Sequence, residues 1–150
     1  MQARFHVAAS VIASAATYAV SQSAAMAAVT LLSGILMDAD HLLDYVVMTR
    51  PPYSIRRLFD TYYQNRHVNV FLLFHSWELL GILAFAAIAT RWEPVLTGLL
   101  IGMGHHLLLD QIFNYPYLLG YFLTYRIYNR LSYARCFRRP AKPTHNEVSP

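Results

Sequence analysis

Residues 95–113 read VLTGLLIGMGHHLLLDQIF and form an apolar stretch from which the fold can be predicted. It is long and apolar enough for a helix that crosses the hydrocarbon core of a bilayer, which takes about 20 residues. Its only ionisable side chains are those of His105, His106 and Asp110. Ionisable groups inside a membrane helix are costly, and they usually belong to a functional site. The stretch therefore predicts a membrane helix that carries functional side chains.

The composition of the whole chain agrees with this prediction. Its 150 residues, one domain in length, are 56% hydrophobic and 13% charged, about half the charged fraction of an ordinary soluble domain. Across residues 68–90 only His75 and Glu78 are ionisable. We therefore predict an all-α membrane protein. The alternative is a soluble helical protein with a large core, which would not need detergent for extraction.

The apolar pattern predicts a polytopic bundle of about four transmembrane helices and an interfacial C-terminal helix. The four helices are expected over residues 5–20, 24–47, 68–90 and 95–113, and the interfacial helix over 117–128. Pro51, Pro52 and Pro94 lie between the predicted helices, where proline ends a helix because it donates no backbone hydrogen bond. Residues 1–139 are expected to form a single membrane-embedded domain, and 140–150 a disordered polar tail.

The distribution of basic residues predicts the topology. If four helices cross and the N-terminus is cytoplasmic, eleven of the twelve Lys and Arg residues lie inside and Arg91 alone lies outside. This matches the positive-inside bias of multi-pass proteins of the cell inner (plasma) membrane. Membrane lipid is then the expected partner. Nucleic acid is not, because the basic tail has no binding motif. The sequence leaves the oligomeric state open.

The first helix has a second interpretation. Arg4, a short apolar stretch and small residues near Ser23 also describe a secretory signal peptide. Cleavage after about residue 23 would remove His6, and any site would then depend on the other helices. The single basic residue and the embedded histidine argue against cleavage.

In the predicted topology, imidazoles and carboxylates from four helices share one layer near the cytoplasmic face. At 1.5 Å per residue, His75 and His106 both lie about 10 Å from the inner ends of their helices. Mixed nitrogen and oxygen ligands suit Zn²⁺, and Mn²⁺ or Fe²⁺ as alternatives. The sequence therefore predicts a divalent-metal site. Its candidate ligands are His6, Asp38, Asp40, His41, His75, His106 and Asp110.

Spacing within the fourth helix supports this site. His106 and Asp110 are four residues apart and share a helix face. The same face continues through Gly102 and Gly98, small residues that let neighbouring helices approach closely. His105 points about 100° away and is expected to pack or to orient a ligand.

Each candidate also has a structural interpretation. The aspartates at 38, 40 and 44 would suit a solvated helix end, and His6 would suit the headgroup level. His75 and Glu78 would pair with each other or with an arginine across helices. Cys136 cannot form an internal disulfide, because it is the single cysteine in the sequence.

The order of these motifs resembles that of the membrane-bound metal-dependent hydrolases, which include LexA-regulated inner-membrane proteins of bacteria. The matching elements are an N-terminal His, Gly34-Ile-Leu-Met-Asp-Ala-Asp-His41, His75-Ser76 and Gly104-His-His-Leu-Leu-Leu-Asp110, and they span residues 4–115. The layout is also similar to that of zinc-dependent phospholipase C. Two positions depart from the family pattern. Met37 stands where proline is usual, and Val70-Phe71 stand where the family has His-Arg.

The resemblance implies a metal-dependent hydrolase that acts on a phosphoester or lipid headgroup at the cytoplasmic face. Asp44 or Glu78 would then be the general base. Arg56, Arg57 and Arg66 would hold an anionic headgroup, although they also serve as positive-inside flanks. The alternatives are non-enzymatic membrane proteins, either an ion or proton pathway or a scaffold, that use the same His/Asp cluster.

Overall fold

The computed structural model describes residues 3–48, 52–56, 58, 69–114 and 116–138. The predictions for Arg57, Arg66 and the tail 140–150 lie outside these residues. The helices described from end to end are α1 Ala3–Ser21, α2 Ala24–Leu36, α3 Asp40–Met48, α4 Trp77–Ala89, α5 Pro94–Phe113, α6 Leu123–Tyr128 and α7 Tyr133–Cys136. Within the described ranges no strand forms, although two isolated antiparallel bridges do. The all-α prediction is confirmed.

The three helices α2, α4 and α5 begin at side chains that accept a backbone N–H bond. The Ser23 hydroxyl accepts from Met26 and the Ser76 hydroxyl accepts from Leu79. The Glu93 carboxylate does the same for α5, at 2.9 Å from the Leu96 nitrogen. Pro94, whose fixed φ suits the first helical position, follows Glu93 at once. These caps satisfy N–H groups that have no partner inside the helix.

Two helical segments are long and apolar enough to cross a membrane. One is Ala24–Val47, in which a 3₁₀ turn at Met37–Ala39 joins α2 to α3, and the other is α5. The third predicted helix is shorter than expected, because α4 has only 13 residues. At 1.5 Å per residue it is about 20 Å long, less than the roughly 30 Å of a hydrocarbon core.

The first part of the predicted third helix, residues 69–76, is not helical, because its backbone bonds elsewhere. The N–H of Val70 donates to the carbonyl of Leu131 at 2.8 Å. The N–H groups of Phe71 and Phe74 donate to the carboxylates of Asp44 and Asp40, at 2.6 and 2.7 Å. A helical pattern of apolar residues could not reveal these bonds, since their partners are distant in sequence.

α2 and α5 pack closely against each other at two glycines. A Cβ atom at Gly98 would lie 2.6 Å from the carbonyl oxygen of Met26. One at Gly102 would lie 2.5 Å from the carbonyl oxygen of Thr30 and would also overlap the Ser33 hydroxyl. No side chain would fit in either place. The prediction that this face allows close helix packing is confirmed, and the packing brings the His106 and Asp110 end of α5 against the end of α2.

Residues 116–138 fold back over the same end of the bundle. Instead of the single interfacial helix expected over 117–128, this segment contains the short helices α6 and α7. The N–H of Trp77 donates to the carbonyl of Tyr121 at 3.0 Å. Around this contact lies a buried apolar cluster made of Met37, Val70, Leu72, Leu107, Tyr121, Tyr133, Cys136 and Phe137. The segment therefore closes the bundle beside the predicted site.

Candidate metal centre

Four separate parts of the chain bring histidines and aspartates together. α1 contributes His6, the turn before α3 contributes Asp38 with His41 after it, the segment before α4 contributes His75, and α5 contributes His106 and Asp110. Their ligand atoms form two groups, each with all its atoms within 4.8 Å of one another. The first group is His6, His106 and Asp110, and the second is Asp38, His41 and His75. Six of the seven predicted ligands therefore belong to a group that could hold a metal ion.

The carboxylate of Asp110 lies among three imidazoles. Its Oδ1 is 3.0 Å from Nε2 of His6. Its Oδ2 is 3.4 Å from Nε2 of His75 and 3.7 Å from Nε2 of His106. The amide of Asn114 donates to Oδ1 at 2.6 Å. Asp110 is buried, so its charge needs such partners.

The carboxylate of Asp38 approaches the imidazoles from the other side. Its Oδ1 is 3.4 Å from Nε2 of His106 and 3.6 Å from Nε2 of His41. The same oxygen is 4.0 Å from Nε2 of His75. Unlike Asp110, the side chain of Asp38 is 31% exposed, and that of His41 is 30% exposed. The cluster is therefore closed on the α1 and α5 side and open at Asp38 and His41.

The hydrogen bonds of His106 and His75 orient their Nε2 atoms toward these carboxylates. Nδ1 of His106 lies 2.7 Å from the carbonyl oxygen of Gly34, which can only accept, so Nδ1 carries the proton. Nδ1 of His75 lies 3.3 Å from Oδ2 of Asp40. Metal-binding histidines are held in this way, with one ring nitrogen bonded to a carbonyl or carboxylate and the other turned to the ion.

The surroundings of the Nε2 atoms indicate whether a cation would fit among them. Within the described residues, Nε2 of His75 and Nε2 of His106 are buried and make no hydrogen bond. Buried polar atoms are rarely left in this state. Protonating every ring would be costly, because the rings of His6 and His106 stack with centroids 3.9 Å apart and like charges repel. A divalent cation would satisfy the nitrogens and the carboxylates together, so the residues present fit a metal ion.

Two of the predicted residues, Asp40 and Asp44, lie behind the ligand groups. Oδ2 of Asp40 accepts from the N–H of Phe74 and contacts the ring of His75, whereas Oδ1 of Asp44 accepts from the N–H of Phe71. Both side chains are buried. They fix the non-helical segment that carries His75, and Asp40 orients the ring directly.

Glu78, one of the two candidate general bases, is bound at the start of α6. Its carboxylate accepts from the N–H groups of Leu123 and Thr124, both at 2.9 Å, and from the Thr124 hydroxyl at 2.7 Å. These bonds cap α6 and tie it to α4. They explain Glu78 without a catalytic role, and its role as a base stays a prediction.

His105 lies outside both groups, in agreement with its predicted direction. Its Nε2 is 3.1 Å from the Ser10 hydroxyl, and its Nδ1 is 3.0 Å from the carbonyl oxygen of Ile101. Both ring nitrogens are therefore engaged. This histidine packs α1 against α5 near Gly34, where a Cβ atom would lie 2.5 Å from the His105 ring.

Sequence reasoning missed the contribution of Arg126, which it treated only as a basic flank. This side chain is fully buried, and its Nη2 donates to the carbonyl oxygen of His75 at 2.9 Å. Burial lowers the pKa of Arg126, because the charged guanidinium is desolvated. The available signal was a single cation within the aromatic stretch of residues 121–128. Arg126 holds the backbone of a candidate ligand.

Comparisons of the chain with protein-family models, with curated proteins and with solved structures found no match in any of the three. The interpretation of the centre therefore depends on its own geometry and chemistry.

Proposed function

We propose that this protein is a membrane-bound metal-dependent hydrolase that acts on a phosphoester, such as a lipid headgroup, at the cytoplasmic face. The observation that carries the proposal is the state of His75 and His106. Each ring has Nδ1 held by an acceptor and Nε2 buried beside the carboxylate of Asp110. This arrangement suits a metal ligand, and it is costly for a histidine that only packs.

The proposed metal is a divalent transition ion, with Zn²⁺ favoured and Mn²⁺ or Fe²⁺ as alternatives. Imidazole nitrogen and carboxylate oxygen together suit these ions, whereas Mg²⁺ and Ca²⁺ prefer oxygen alone. When bound, such an ion acts as a Lewis acid that polarises a phosphoryl oxygen and acidifies water. The ligands would come from His6, Asp38, His41, His75, His106 and Asp110.

The residues of the open side would meet the substrate. Asp38 and His41 are the partly exposed members of the cluster, so a headgroup would enter there. Asp40 would keep the ring of His75 in place, and Asp44 would keep the segment before it in place. α1 and α5 would exclude water from the closed side. Exclusion of water strengthens electrostatic interactions with a developing charge.

The proposed membrane arrangement has four spans with both termini in the cytoplasm. Besides α5 and the segment Ala24–Val47, it requires α1 and α4 to lie in lipid. Large apolar side chains on the outer surfaces of these two helices support this: Ile12 is 70% exposed and Phe85 is 74% exposed. Exposed apolar side chains of this number suit contact with lipid better than contact with water. The short α4 would require local thinning of the bilayer or loops at its ends.

The test measures metal content and hydrolysis together on detergent-purified protein. We expect wild type to carry a transition metal and to hydrolyse a phosphodiester probe, bis(p-nitrophenyl) phosphate, or phospholipid in mixed micelles. His106→Ala and Asp110→Ala are each expected to lose most of the metal and at least 100-fold of the activity. His105→Ala is the matched control, because it removes an adjacent histidine that is no candidate ligand.

Two results would contradict the proposal. Equal metal content in wild type and both ligand variants would mean that the cluster is a set of ion pairs that needs no metal. A metal-loaded wild type that hydrolyses neither probe, yet carries ions or protons across a proteoliposome membrane, would favour a transport pathway instead.

A further inference from the structure

We infer that the centre holds two divalent cations side by side, one in each ligand group, with Asp38 and Asp110 shared between them. The inference deepens the proposed function and rests on its premise that the cluster binds metal. It concerns the number and arrangement of the ions rather than the reaction.

The number of ligand atoms in the cluster, six, favours more than one ion. Each group supplies three ligand atoms within 4.8 Å of one another, and His6 belongs to one group whereas His41 belongs to the other. A single tetrahedral ion takes four ligands at about 2.0–2.2 Å, so its ligand atoms lie within about 4 Å of one another. One ion would leave part of the cluster unused. Two ions use all of it and leave positions for water or substrate.

The two groups are also connected to each other. Nε2 of His106, in the first group, is 3.4 Å from Oδ1 of Asp38 in the second. Nε2 of His75, in the second group, is 3.4 Å from Oδ2 of Asp110 in the first. Each carboxylate therefore faces imidazoles of both groups. Carboxylates placed between two ligand sets are suited to bridge neighbouring ions, as in two-metal hydrolytic sites.

The burial of the two groups differs. All three residues of the first group are buried, whereas Asp38 and His41 of the second are partly exposed. The two ions should therefore exchange at different rates. We expect a chelator to remove the ion at His41 first and the ion at His6 later.

The experiment counts the ions and tests whether they are adjacent. Full-length protein in detergent is stripped of metal, titrated with Mn²⁺ and followed by electron paramagnetic resonance, and Zn²⁺ content is measured by elemental analysis. We expect two equivalents per chain and a spectrum with exchange coupling between two Mn²⁺ ions. One equivalent, or two equivalents without coupling, would overturn the inference. This measurement on wild type needs no variant to fold.

Single variants assign each ion to its group. His6→Ala and His41→Ala should each keep one equivalent and lose the coupling, and the double variant should bind none. His105→Ala should keep both ions, and circular dichroism checks that each variant is folded. If His6→Ala and His41→Ala both retain two ions, or if each loses both while staying folded, two separate group sites do not exist.

The outcome separates this inference from the proposed hydrolase. Two coupled ions without hydrolysis would contradict the proposed function and support the inference. Hydrolysis by protein with a single ion would support the function and overturn the inference.

Discussion

At the scale of single residues, the two nitrogens of His106 have different tasks. Nδ1 is fixed by the carbonyl of Gly34, a backbone atom of α2, and Nε2 is thereby turned toward Asp38 and Asp110. The sequence predicted His106 as a ligand from its spacing with Asp110. It could not predict the role of Gly34, because every residue has a backbone carbonyl and the residue type does not show which carbonyl accepts.

Asp38 and Asp40, which the sequence both predicted as metal ligands, have different surroundings. Asp38 faces the imidazole Nε2 atoms, whereas Asp40, two residues later, contacts Nδ1 of His75 from behind. Residues two apart on a helix point to different faces, so the two carboxylates around the 3₁₀ turn at Met37–Ala39 cannot both face the same group. The spacing shows this difference, but only the structure shows which of the two faces the Nε2 atoms.

Arg126 gives the first prediction at this scale. Replacing it in Arg126→Met should weaken metal binding by about 10–100-fold, as removal of groups that orient ligands does, because the carbonyl of His75 loses its donor. Competition with a chromophoric chelator measures the affinity. Arg130→Met, at an exposed position, should leave it unchanged. An unchanged affinity in folded Arg126→Met would show that Arg126 does not position His75.

Cys136 gives the second prediction. The thiol is fully buried, and burial raises its pKa, because the thiolate is desolvated. Since the thiolate is the reactive form, we expect maleimide labelling to be at least 100-fold slower in folded protein than in denatured protein. The control is a cysteine introduced by Tyr128→Cys in a Cys136→Ser background, at a position that is 85% exposed. We expect it to be labelled as fast in folded protein as in denatured protein. Equally fast labelling of native Cys136 would contradict the packing of residues 116–138.

At the scale of helices, the contact between α2 and α5 determines the position of the centre. The stripe of Gly98, Gly102, His106 and Asp110 was visible in the sequence, and the structure confirms that its glycine end packs closely against α2. The third helix was predicted too long. Its first residues are apolar, but their N–H groups bond to Asp40, Asp44 and the carbonyl of Leu131 instead.

The helix contact gives the third prediction, with Gly102→Ala and Gly81→Ala as a matched pair. Both glycines lie inside helices, where alanine has the better propensity by about 1 kcal/mol. A Cβ atom at Gly81 would meet nothing within 4 Å, whereas one at Gly102 would overlap α2. Gly102→Ala should lower the free energy of unfolding by about 1–3 kcal/mol and also reduce metal content, and Gly81→Ala should do neither. Thermal unfolding in detergent measures this, and equal stabilities would exclude a close contact.

At the scale of the whole molecule, the proposed arrangement with four spans gives the fourth prediction. In a Cys136→Ser background, cysteines introduced by Gln22→Cys and Arg91→Cys should react with a membrane-impermeant maleimide added outside the cell. One introduced by Arg130→Cys should react only after the membrane is opened. Gln22 follows α1, Arg91 follows α4, and Arg130 lies in the C-terminal segment. Labelling of Gln22→Cys and Arg91→Cys from opposite sides would contradict the topology.

The pattern of apolar residues in the sequence predicted the all-α class. The predicted helices and the ligand spacing placed His6, His75 and His106 in one layer. The sequence predicted one helix over 117–128, of which only α6, Leu123–Tyr128, is helical, and it did not predict α7 or the buried Arg126, because these depend on contacts between segments far apart in the chain. From the charge pattern, Arg126 was explained as one of the basic residues that flank membrane helices.

The position of His6 near the start of α1 has a consequence for how the protein matures. Its ring stacks on His106 and contacts Asp110, so the first helix supplies an inner wall of the centre. A peptidase that removed this helix as an export leader would open the buried side and discard one imidazole. We therefore expect a mature protein with an intact centre to retain α1. The mass of the purified chain, measured by mass spectrometry, shows whether it does.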